Sequence, residues 1–316
     1  MFAGVSKAVF STLATSSVLK RLASRYGMRR PQSFARRFVA GETLAEALDA
    51  ARTLERQGLS VTLDHLGERV TARQPALAAT RDYVDTMHAT AAAGLSRNFS
   101  VKLTQIGLDI DRATATDHLR RVLEAASEAD FFVRIDMEGS AYTAETLDIF
   151  ENLWTIGYRN VGVVIQSCLR RSADDIARLN ALGARVRLVK GAYREPKDVA
   201  FQAKDEVDAQ FVELMRQLLT HGVYPAIATH DPAMIAATQQ YARTQGIDKG
   251  RFEFQMLFGI RRDLQAALAA AGHPFRVYVP FGKEWFPYFM RRLGERPANV
   301  GFVIRSLLRE EAPPLS

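Results

Sequence analysis

From residue 42 onward, short apolar segments rich in β-branched residues alternate with longer segments rich in Ala, Leu, Arg and Glu. The short segments have the length of buried strands, and the longer ones have the length of helices. Eight segments are predicted to be strands: 60–66, 99–104, 131–138, 160–167, 185–191, 224–230, 252–257 and 275–280. Helices are predicted before and between them at 42–57, 75–94, 114–129, 143–156, 172–183, 197–222, 232–246 and 262–272. This alternation is typical of an α/β protein with a parallel sheet. Eight strands predict closure into a (βα)8 TIM-type barrel, with a doubly wound open sheet as the alternative.

The positive charge of the chain is concentrated at its N-terminus. Of 42 Lys and Arg residues, eight precede the first acidic residue, Glu42, and without them 34 basic residues face 35 acidic ones. Those eight are Lys7, Lys20, Arg21, Arg25, Arg29, Arg30, Arg36 and Arg37. We therefore divide the chain into a basic, helical N-terminal arm at 1–41 and a barrel domain at 42–316. Because the barrel domain is almost neutral, its charge does not indicate nucleic-acid binding.

Apolar residues recur at roughly helical spacing between residues 2 and 23 of the arm. No apolar run reaches the roughly 18 residues of a membrane span. Our first interpretation is a helix packed on the barrel with its basic face in solvent. Contact with an anionic lipid surface is the second. A mitochondrial-type targeting segment is the third, because the arm is basic, rich in Ser and free of acidic residues.

Cys168 is the only cysteine, so no intrachain disulfide can form, and a reducing compartment is expected. One thiolate cannot build a zinc site, and the chain lacks a His-Glu-x-x-His motif, so no metal is expected. The glycine motifs of Rossmann and P-loop nucleotide sites are also absent from the sequence.

Polar residues share one face of most predicted strands, because side chains alternate between the two faces. In the third strand, Arg134 and Asp136 oppose Val133 and Ile135. Helices must cover the outside of a parallel barrel, so the apolar faces point outward and the charged faces point inward. The charged residues predicted inside are Lys102, Arg134, Arg185, Arg187, Arg276, Asp64, Asp136, Glu138 and Glu253. Those low in the barrel are expected to pair with one another, and those at the carboxyl ends of strands are expected to be functional.

A second cluster is predicted near the C-terminus. A helix that begins near residues 283–285 would place Tyr288, Arg291 and Arg292 on one face. Guanidinium groups bind carboxylates bidentately, so this face predicts a carboxylate clamp, with a solvated basic face as the alternative.

Several motifs together resemble those of the proline dehydrogenase family in its monofunctional bacterial form. They are Phe-Val-Ala-Gly-Glu-Thr-Leu at 38–44, Ser-Val-Lys-Leu-Thr-Gln-Ile-Gly at 100–107, Arg-Ile-Asp-Met-Glu at 134–138, Val-Ile-Gln-Ser at 164–167, Arg-Leu-Val-Lys-Gly-Ala-Tyr at 187–193, Ala-Thr-His at 228–230, Phe-Gln-Met-Leu at 254–257, Tyr-Val-Pro-Phe-Gly at 278–282 and Tyr-Phe-Met-Arg-Arg-Leu at 288–293. The resemblance spans about 38–316 and includes nearly every predicted strand end.

The resemblance implies a barrel that binds FAD non-covalently at its carboxyl face. It implies hydride transfer from C5 of L-proline to flavin N5, which gives Δ1-pyrroline-5-carboxylate, the first step of proline catabolism. A membrane quinone would then accept the electrons, and a separate pyrroline-5-carboxylate dehydrogenase would receive the product. The implied catalytic residues are Asp136 and Arg187, and the implied substrate-binding residues are Lys102, Tyr278, Tyr288, Arg291 and Arg292. The implied FAD contacts are Met137, Gln166, Arg187, Lys190, Gly191, Ala192, Thr229 and His230.

Two other functions stay open on the sequence alone. Another flavin-binding barrel, similar to methylenetetrahydrofolate reductase, would use NAD(P)H or a folate in place of proline. A regulator would use the basic arm to bind DNA, but the chain has no room for an added ribbon-helix-helix domain, so no nucleic-acid partner is expected. The expected location is the cytoplasm, with peripheral contact of the arm at the inner face of the membrane.

Overall fold

The computed structural model of the chain describes residue 28 and residues 33–295. The predictions for the rest of the N-terminal arm, and for 296–316, concern residues outside this part. Eight strands form a closed, all-parallel barrel in which each strand pairs with the next in sequence and the last pairs with the first. The (βα)8 TIM-type prediction is therefore confirmed, and the open-sheet alternative is wrong.

The strands and helices follow the predicted order closely. The strands are β1 (Ser60–His65), β2 (Asn98–Val101), β3 (Phe132–Ile135), β4 (Val161–Gln166), β5 (Arg185–Val189), β6 (Ala226–Ala228), β7 (Glu253–Leu257) and β8 (Phe275–Phe281). The α-helices are α1 (Leu44–Glu55), α2 (Arg73–Ala92), α3 (Arg112–Glu128), α4 (Ser140–Thr155), α5 (Ser172–Leu182), α6 (Lys204–His221), α7 (Pro232–Thr244), α8 (Arg262–Ala270) and α9 (Trp285–Glu295). Short 3₁₀ helices lie at Phe34–Arg37 and Lys249–Arg251.

Helix α6 starts seven residues later than predicted. The preceding backbone pairs with another segment instead, since Phe201 N donates to the Cys168 carbonyl at 2.8 Å and Arg170 N donates to the Val199 carbonyl at 3.0 Å. The Phe201 N–H and the Val199 carbonyl, which would bond within a longer helix, are therefore bonded to residues 168 and 170 instead. The residues before Lys204 therefore form a loop over the carboxyl end of the barrel.

Polar side chains satisfy the free N–H groups at several helix starts. The Thr43 hydroxyl accepts from Glu46 N while the Glu46 carboxylate accepts from Thr43 N, which makes a capping box for α1. Asp231 accepts from Ala233 N at 3.0 Å and precedes Pro232, which occupies the first position of α7.

The outward faces of the strands are apolar and buried under the helices, as predicted. Val61 and Leu63 of β1 and Val133 and Ile135 of β3 have no exposed surface. They belong to one hydrophobic core with the inner faces of the helices. Burial of this apolar shell supplies the main driving force for folding and leaves the barrel interior free for polar side chains.

Arg276 and Glu253 form an ion pair in the lower interior of the barrel, with Nε 3.0 Å from Oε1, as expected of charges that satisfy one another there. Burial raises the pKa of Glu253, but Arg276 offsets this and brings that pKa below its usual value. Arg134, predicted to join the ion network, instead donates to the carbonyls of Val163 at 3.2 Å and Arg185 at 2.6 Å. Burial holds the pKa of Arg134 well below its ordinary range.

Arg185 lies low in the barrel, as predicted, but the expectation that it joins the buried ion network is wrong, because it is the first residue of β5, at the amino end, and is exposed. Its guanidinium lies over the rings of Phe132 at 5.2 Å and Tyr224 at 5.4 Å. Across from it in register, Gly162 leaves room for the Arg134 guanidinium, since a Cβ at 162 would lie 2.8 Å from Arg134 Nη1. The glycine therefore makes space for a buried cation.

The segment 33–41 attaches α9 to the barrel. Ala40 N donates to the Pro280 carbonyl, and Gly282 N donates to the Gly41 carbonyl, each at 2.9 Å. The buried residues that pack here are Met28, Ala35, Phe38, Val39, Leu66, Trp285, Phe286, Tyr288, Phe289 and Met290. This cluster holds α9 over the carboxyl end of the barrel. None of the helices in residues 33–295 combines the length and hydrophobicity that a bilayer-crossing segment requires.

Candidate active site

Lys102, which follows β2, lies buried at the barrel mouth between two carboxylates. Its Nζ is 2.8 Å from Asp64 Oδ1 and 3.7 Å from Asp136 Oδ2. Burial lowers the pKa of Lys102, but Asp64 and Asp136 outweigh it and raise that pKa above its ordinary value. Lys102 therefore carries a positive charge at neutral pH in spite of its burial.

Asp136, which follows β3, connects three other groups at the mouth. One oxygen accepts from Arg187 Nη1 at 2.8 Å, and the other accepts from the Tyr278 hydroxyl at 2.7 Å. The Arg187 guanidinium also donates to Ser100 Oγ, at 3.3 Å from each terminal nitrogen. These contacts orient the Arg187 guanidinium and the Tyr278 ring.

Tyr278 projects from β8 into the same space. Burial, together with Asp136, raises the pKa of its hydroxyl well above the usual value, so the group keeps its proton and donates a hydrogen bond to Asp136. The Arg187 guanidinium lies 5.4 Å from the centre of the Tyr278 ring. The Tyr278 ring therefore forms one side of the site and is held in place by Asp136 and Arg187.

Helix α9 covers the opposite side of the mouth. Arg291 Nη1 lies 2.8 Å from Glu68 Oε1, in the loop after β1. Burial raises the pKa of Glu68, but Arg291 outweighs it, and the pKa of Glu68 lies below its usual value. The Arg292 guanidinium lies 5.2 Å from the centre of the Tyr288 ring. Both arginines face the barrel mouth, as the spacing predicted.

Most of these groups line one cavity of about 970 Å³ at the carboxyl end of the barrel; Asp64, Ser100 and Glu68 are not part of its lining. All the site residues predicted from the sequence are among its lining: Lys102, Asp136, Met137, Gln166, Arg187, Lys190, Gly191, Ala192, Thr229, His230, Tyr278, Tyr288, Arg291 and Arg292. The structure therefore brings together residues that lie up to 190 positions apart in the chain. Their individual roles stay predictions.

The far end of the cavity has a second charged cluster. Lys190 Nζ lies 2.5 Å from Asp208 Oδ1 and 2.7 Å from Asp231 Oδ2. Burial raises the pKa of both carboxyls, but Lys190 and Lys204 outweigh it, and both pKa values lie below the usual range. Nearby, His230 Nε2 accepts from Leu257 N at 2.9 Å, which fixes its ring.

The expected cofactor, FAD, is compatible with this cavity in size and chemistry. The volume is at the upper end of the range of about 300–1,000 Å³ for ligand pockets. Arg187 Nε is buried and has no hydrogen-bond partner among the described residues, which leaves a donor at the cavity. Lys190 and Lys204, which pair with Asp208 and Asp231, are cations of this lining that would hold a diphosphate.

The sequence predictions missed Tyr193, which lines this cavity, and Glu68, which lines a neighbouring cavity of about 650 Å³ and pairs with Arg291. Tyr193 belongs to a motif quoted above but was given no role, and burial raises its pKa to about 12. Glu68 lies in an irregular loop three residues after β1, where no periodic pattern singles it out. Its only signal is an acidic residue just beyond the carboxyl end of a strand.

The whole chain is similar to known proteins. The sequence profile of the family described as Proline dehydrogenase matches residues 47–305. Proline dehydrogenase 1 of Bacillus subtilis (strain 168) is 41% identical over 302 residues, which cover 96% of this chain and 99% of that protein. Proline dehydrogenase of Deinococcus radiodurans is 40% identical over 281 residues, which cover 88% and 91%. A crystal structure of proline utilization A (PutA) from Bdellovibrio bacteriovorus, inactivated by N-propargylglycine, matches with a TM-score of 0.79 and 27% identity, over 88% of this chain and 34% of that one.

Proposed function

Because the chain belongs to the proline dehydrogenase family of oxidoreductases, we propose that it oxidises L-proline to Δ1-pyrroline-5-carboxylate, the first step of proline catabolism. The observation that carries this proposal is the composition of the large cavity. Cations from β2 and α9 and two tyrosine rings line the same space as the Arg187–Asp136 pair. The site thus combines groups for an amino-acid carboxylate with a charged, partly buried reaction space.

The proposed substrate is a small zwitterion, and the cavity suits its two ends. Lys102, Arg291 and Arg292 would bind the carboxylate, because buried or half-buried cations form strong charge-assisted hydrogen bonds. The rings of Tyr278 and Tyr288 would pack on the apolar carbons of the pyrrolidine ring. Since Arg291 already contacts Glu68, the substrate carboxylate would share that guanidinium or replace Glu68 as its partner.

We propose FAD as the resident cofactor, held by Met137, Gln166, Arg187, Lys190, Gly191, Ala192, Thr229 and His230. When bound, FAD would supply the acceptor for a hydride from C5 of proline, the proline nitrogen would lose a proton as the C=N bond forms, and a membrane quinone would take up the electrons. Asp136 and Ser100 fix the Arg187 guanidinium, so that its charge is oriented before the reaction. Such prior orientation removes a reorganisation cost from the chemical step.

The proposed acceptor lies in the membrane, so we also propose that the basic arm contacts the inner membrane face of a cytoplasmic enzyme. A separate pyrroline-5-carboxylate dehydrogenase would consume the product.

The proposed contact between the arm and the membrane is tested by co-sedimentation with anionic liposomes. The deletion should cover residues 1–27, because Met28 and Ala35 are buried against α9. Equal co-sedimentation of the full chain and the deletion would refute the lipid contact.

The main proposal is tested by absorbance spectroscopy of the purified protein. We expect a flavin spectrum that bleaches on addition of L-proline and recovers on addition of a soluble quinone. NAD(P)H and folates serve as comparison substrates and should give no bleaching. A protein that binds no FAD, or whose bound flavin is unaffected by proline, would refute the proposal.

The carboxylate site is tested by replacing Arg291 and Arg292 together with Met. Each lost charge-assisted hydrogen bond costs about 1.5–3 kcal/mol, so the proline KM should rise about 10²-fold or more while FAD stays bound. The control is the double replacement of Arg120 and Arg121 by Met, since these adjacent arginines lie on the surface of α3 and pair with Asp117. An unchanged KM in the Arg291/Arg292 variant would exclude these residues from substrate binding.

A further inference from the structure

The loop between β5 and α6 forms a wall of the large cavity, to which residues 190–195 and 200–202 contribute. Both ends of this loop are attached to Cys168. Cys168 N donates to the Lys190 carbonyl at 3.0 Å, and Phe201 N donates to the Cys168 carbonyl at 2.8 Å. The middle of the loop is attached to a different part of the barrel through Glu195.

The Glu195 carboxylate accepts two hydrogen bonds from Ser140, 55 residues away in the chain. One comes from the backbone N–H at 2.9 Å and the other from the hydroxyl. Ser140 is the first residue of α4, and the preceding Gly139 has no side chain that could cap the helix. Glu195 therefore caps α4 from another loop, where a carboxylate is also favoured by the helix dipole.

This contact joins two segments that both line the cavity. Ser140 directly follows the β3–α4 connection, which contributes Asp136 and Met137 to the lining, and Glu195 follows Tyr193 by two residues. Tyr193 lines the same cavity as Arg291 of α9. Loss of the contact would let the loop, with Tyr193, move away from the β3–α4 connection.

We propose that Glu195 is a positioning residue that holds the β5–α6 loop and Tyr193 against the start of α4, so that the cavity is shaped for its ligands before they bind. This inference rests on the proposed function for the identity of those ligands, FAD and L-proline. A preorganised wall lowers the cost of binding, so Glu195 acts on affinity. Because Glu195 contacts neither Lys102 nor the Asp136–Arg187 pair, the chemical step is expected to be nearly unaffected.

The contact can be removed from either side. Glu195→Ala removes the acceptor, and Glu195→Gln keeps one carbonyl oxygen that can still accept from Ser140 N. Ser140→Pro removes both donors, and proline is tolerated at the first position of a helix. Gly139 already has ψ 159°, the extended backbone that precedes proline. If the effects of both single variants come from loss of the Glu195–Ser140 contact, the Glu195→Ala/Ser140→Pro double variant should show effects no larger than those of either single variant.

The first measurement needs neither substrate nor cofactor. Arg194 and Lys197 are exposed, and trypsin can cut this loop after either residue when the loop detaches from the start of α4. Loss of one or two charge-assisted hydrogen bonds should accelerate that cleavage about tenfold or more in Glu195→Ala and in Ser140→Pro. Glu195→Gln should be intermediate. The matched control is Glu206→Ala, which removes an exposed carboxylate that accepts from Ala203 N at the start of α6 and leaves Ser140 untouched.

The second measurement is the kinetic and binding profile of the loaded enzyme. In Glu195→Ala, the proline KM and the FAD dissociation constant should rise about tenfold, while kcat at saturation changes less than about threefold. Cleavage and KM equal to those of the wild type, additive effects in the double variant, or a fall in kcat alone would each overturn the proposal. If the wild type itself neither binds FAD nor oxidises proline, the proposed function fails, and the trypsin series still decides whether Glu195 holds the loop.

Discussion

Replacement of Lys102 by Met should destabilise the protein strongly, because it would leave Asp64 buried without its cation. Asp64 has no exposed surface, and its Oδ1 lies 2.8 Å from Lys102 Nζ. With an effective dielectric constant of about 20, charges at this distance attract by about 4–6 kcal/mol. Removing one partner of a buried pair typically costs about 3–5 kcal/mol, because the remaining charge stays desolvated. We therefore expect the folding equilibrium to fall by about 10²–10⁴-fold.

The free energy of unfolding is measured in urea on the ligand-free protein, so that a loss of substrate binding does not affect the measured value. Asp64→Asn should cost less, because Lys102 keeps Asp136 at 3.7 Å. The double variant Asp64→Asn/Lys102→Met should be more stable than Lys102→Met alone, since it leaves no unpaired charge at position 64. This recovery separates a charge effect from a simple loss of packing.

The control is a pair with a similar distance and no burial. Arg52 Nη1 lies 2.7 Å from Asp49 Oδ1, and the two side chains are 41% and 77% exposed. Arg52→Met should therefore cost at most about 1 kcal/mol. Two results would contradict this reasoning: a loss of unfolding free energy in Lys102→Met no larger than in Arg52→Met, or a double variant less stable than Lys102→Met. Either result would show that Lys102 and Asp64 do not stabilise each other as a buried ion pair.

Two further predictions concern the attachment of segment 33–41. Burial raises the pKa of Glu46, but Arg36 and the hydrogen bonds from Thr43 outweigh it and lower that pKa to about 2, so this stabilisation is present above about pH 4.5 and is lost as the pH falls toward 2. The difference in unfolding free energy between wild type and Glu46→Gln should therefore shrink between about pH 5 and pH 3, and a constant difference would contradict the assignment. Gly259→Ala should lower the melting temperature more than Gly246→Ala. Both glycines have positive φ, at 71° and 65°, but only at 259 would a Cβ collide with the Arg37 carbonyl. Equal losses in thermal unfolding would show that this contact is unimportant.

The alternation of strands and helices was predictable because each element buries one face, and burial leaves a period in the sequence. Period two on β3 placed Asp136 on the interior face, and the spacing of Tyr288, Arg291 and Arg292 placed them on one face of α9. Such patterns depend on neighbours within a few residues and need no knowledge of the tertiary contacts.

The errors have a common physical cause. The late start of α6 and the exposure of Arg185 depend on which segments lie beside them. Residues 199–201 pair with residues 168–170, and Arg185 lies where the amino end of the barrel meets solvent. Neither neighbour is close in sequence, so local periodicity could not report it.

By itself, the sequence determined the order of the elements, the number of strands and the residue types at the carboxyl ends, because hydrophobic burial leaves a local repeat in the sequence. The choice between a closed barrel and an open sheet required the pairing of β1 with β8, which are distant in the chain. Only the tertiary structure decided the pairs that shape the cavity. Arg291 meets Glu68 across 223 residues, and Glu195 meets Ser140 across 55. Closing the barrel brings these residues to one rim. A donor and an acceptor that lie within about 3 Å of each other there form a hydrogen bond or ion pair, whatever their separation along the chain.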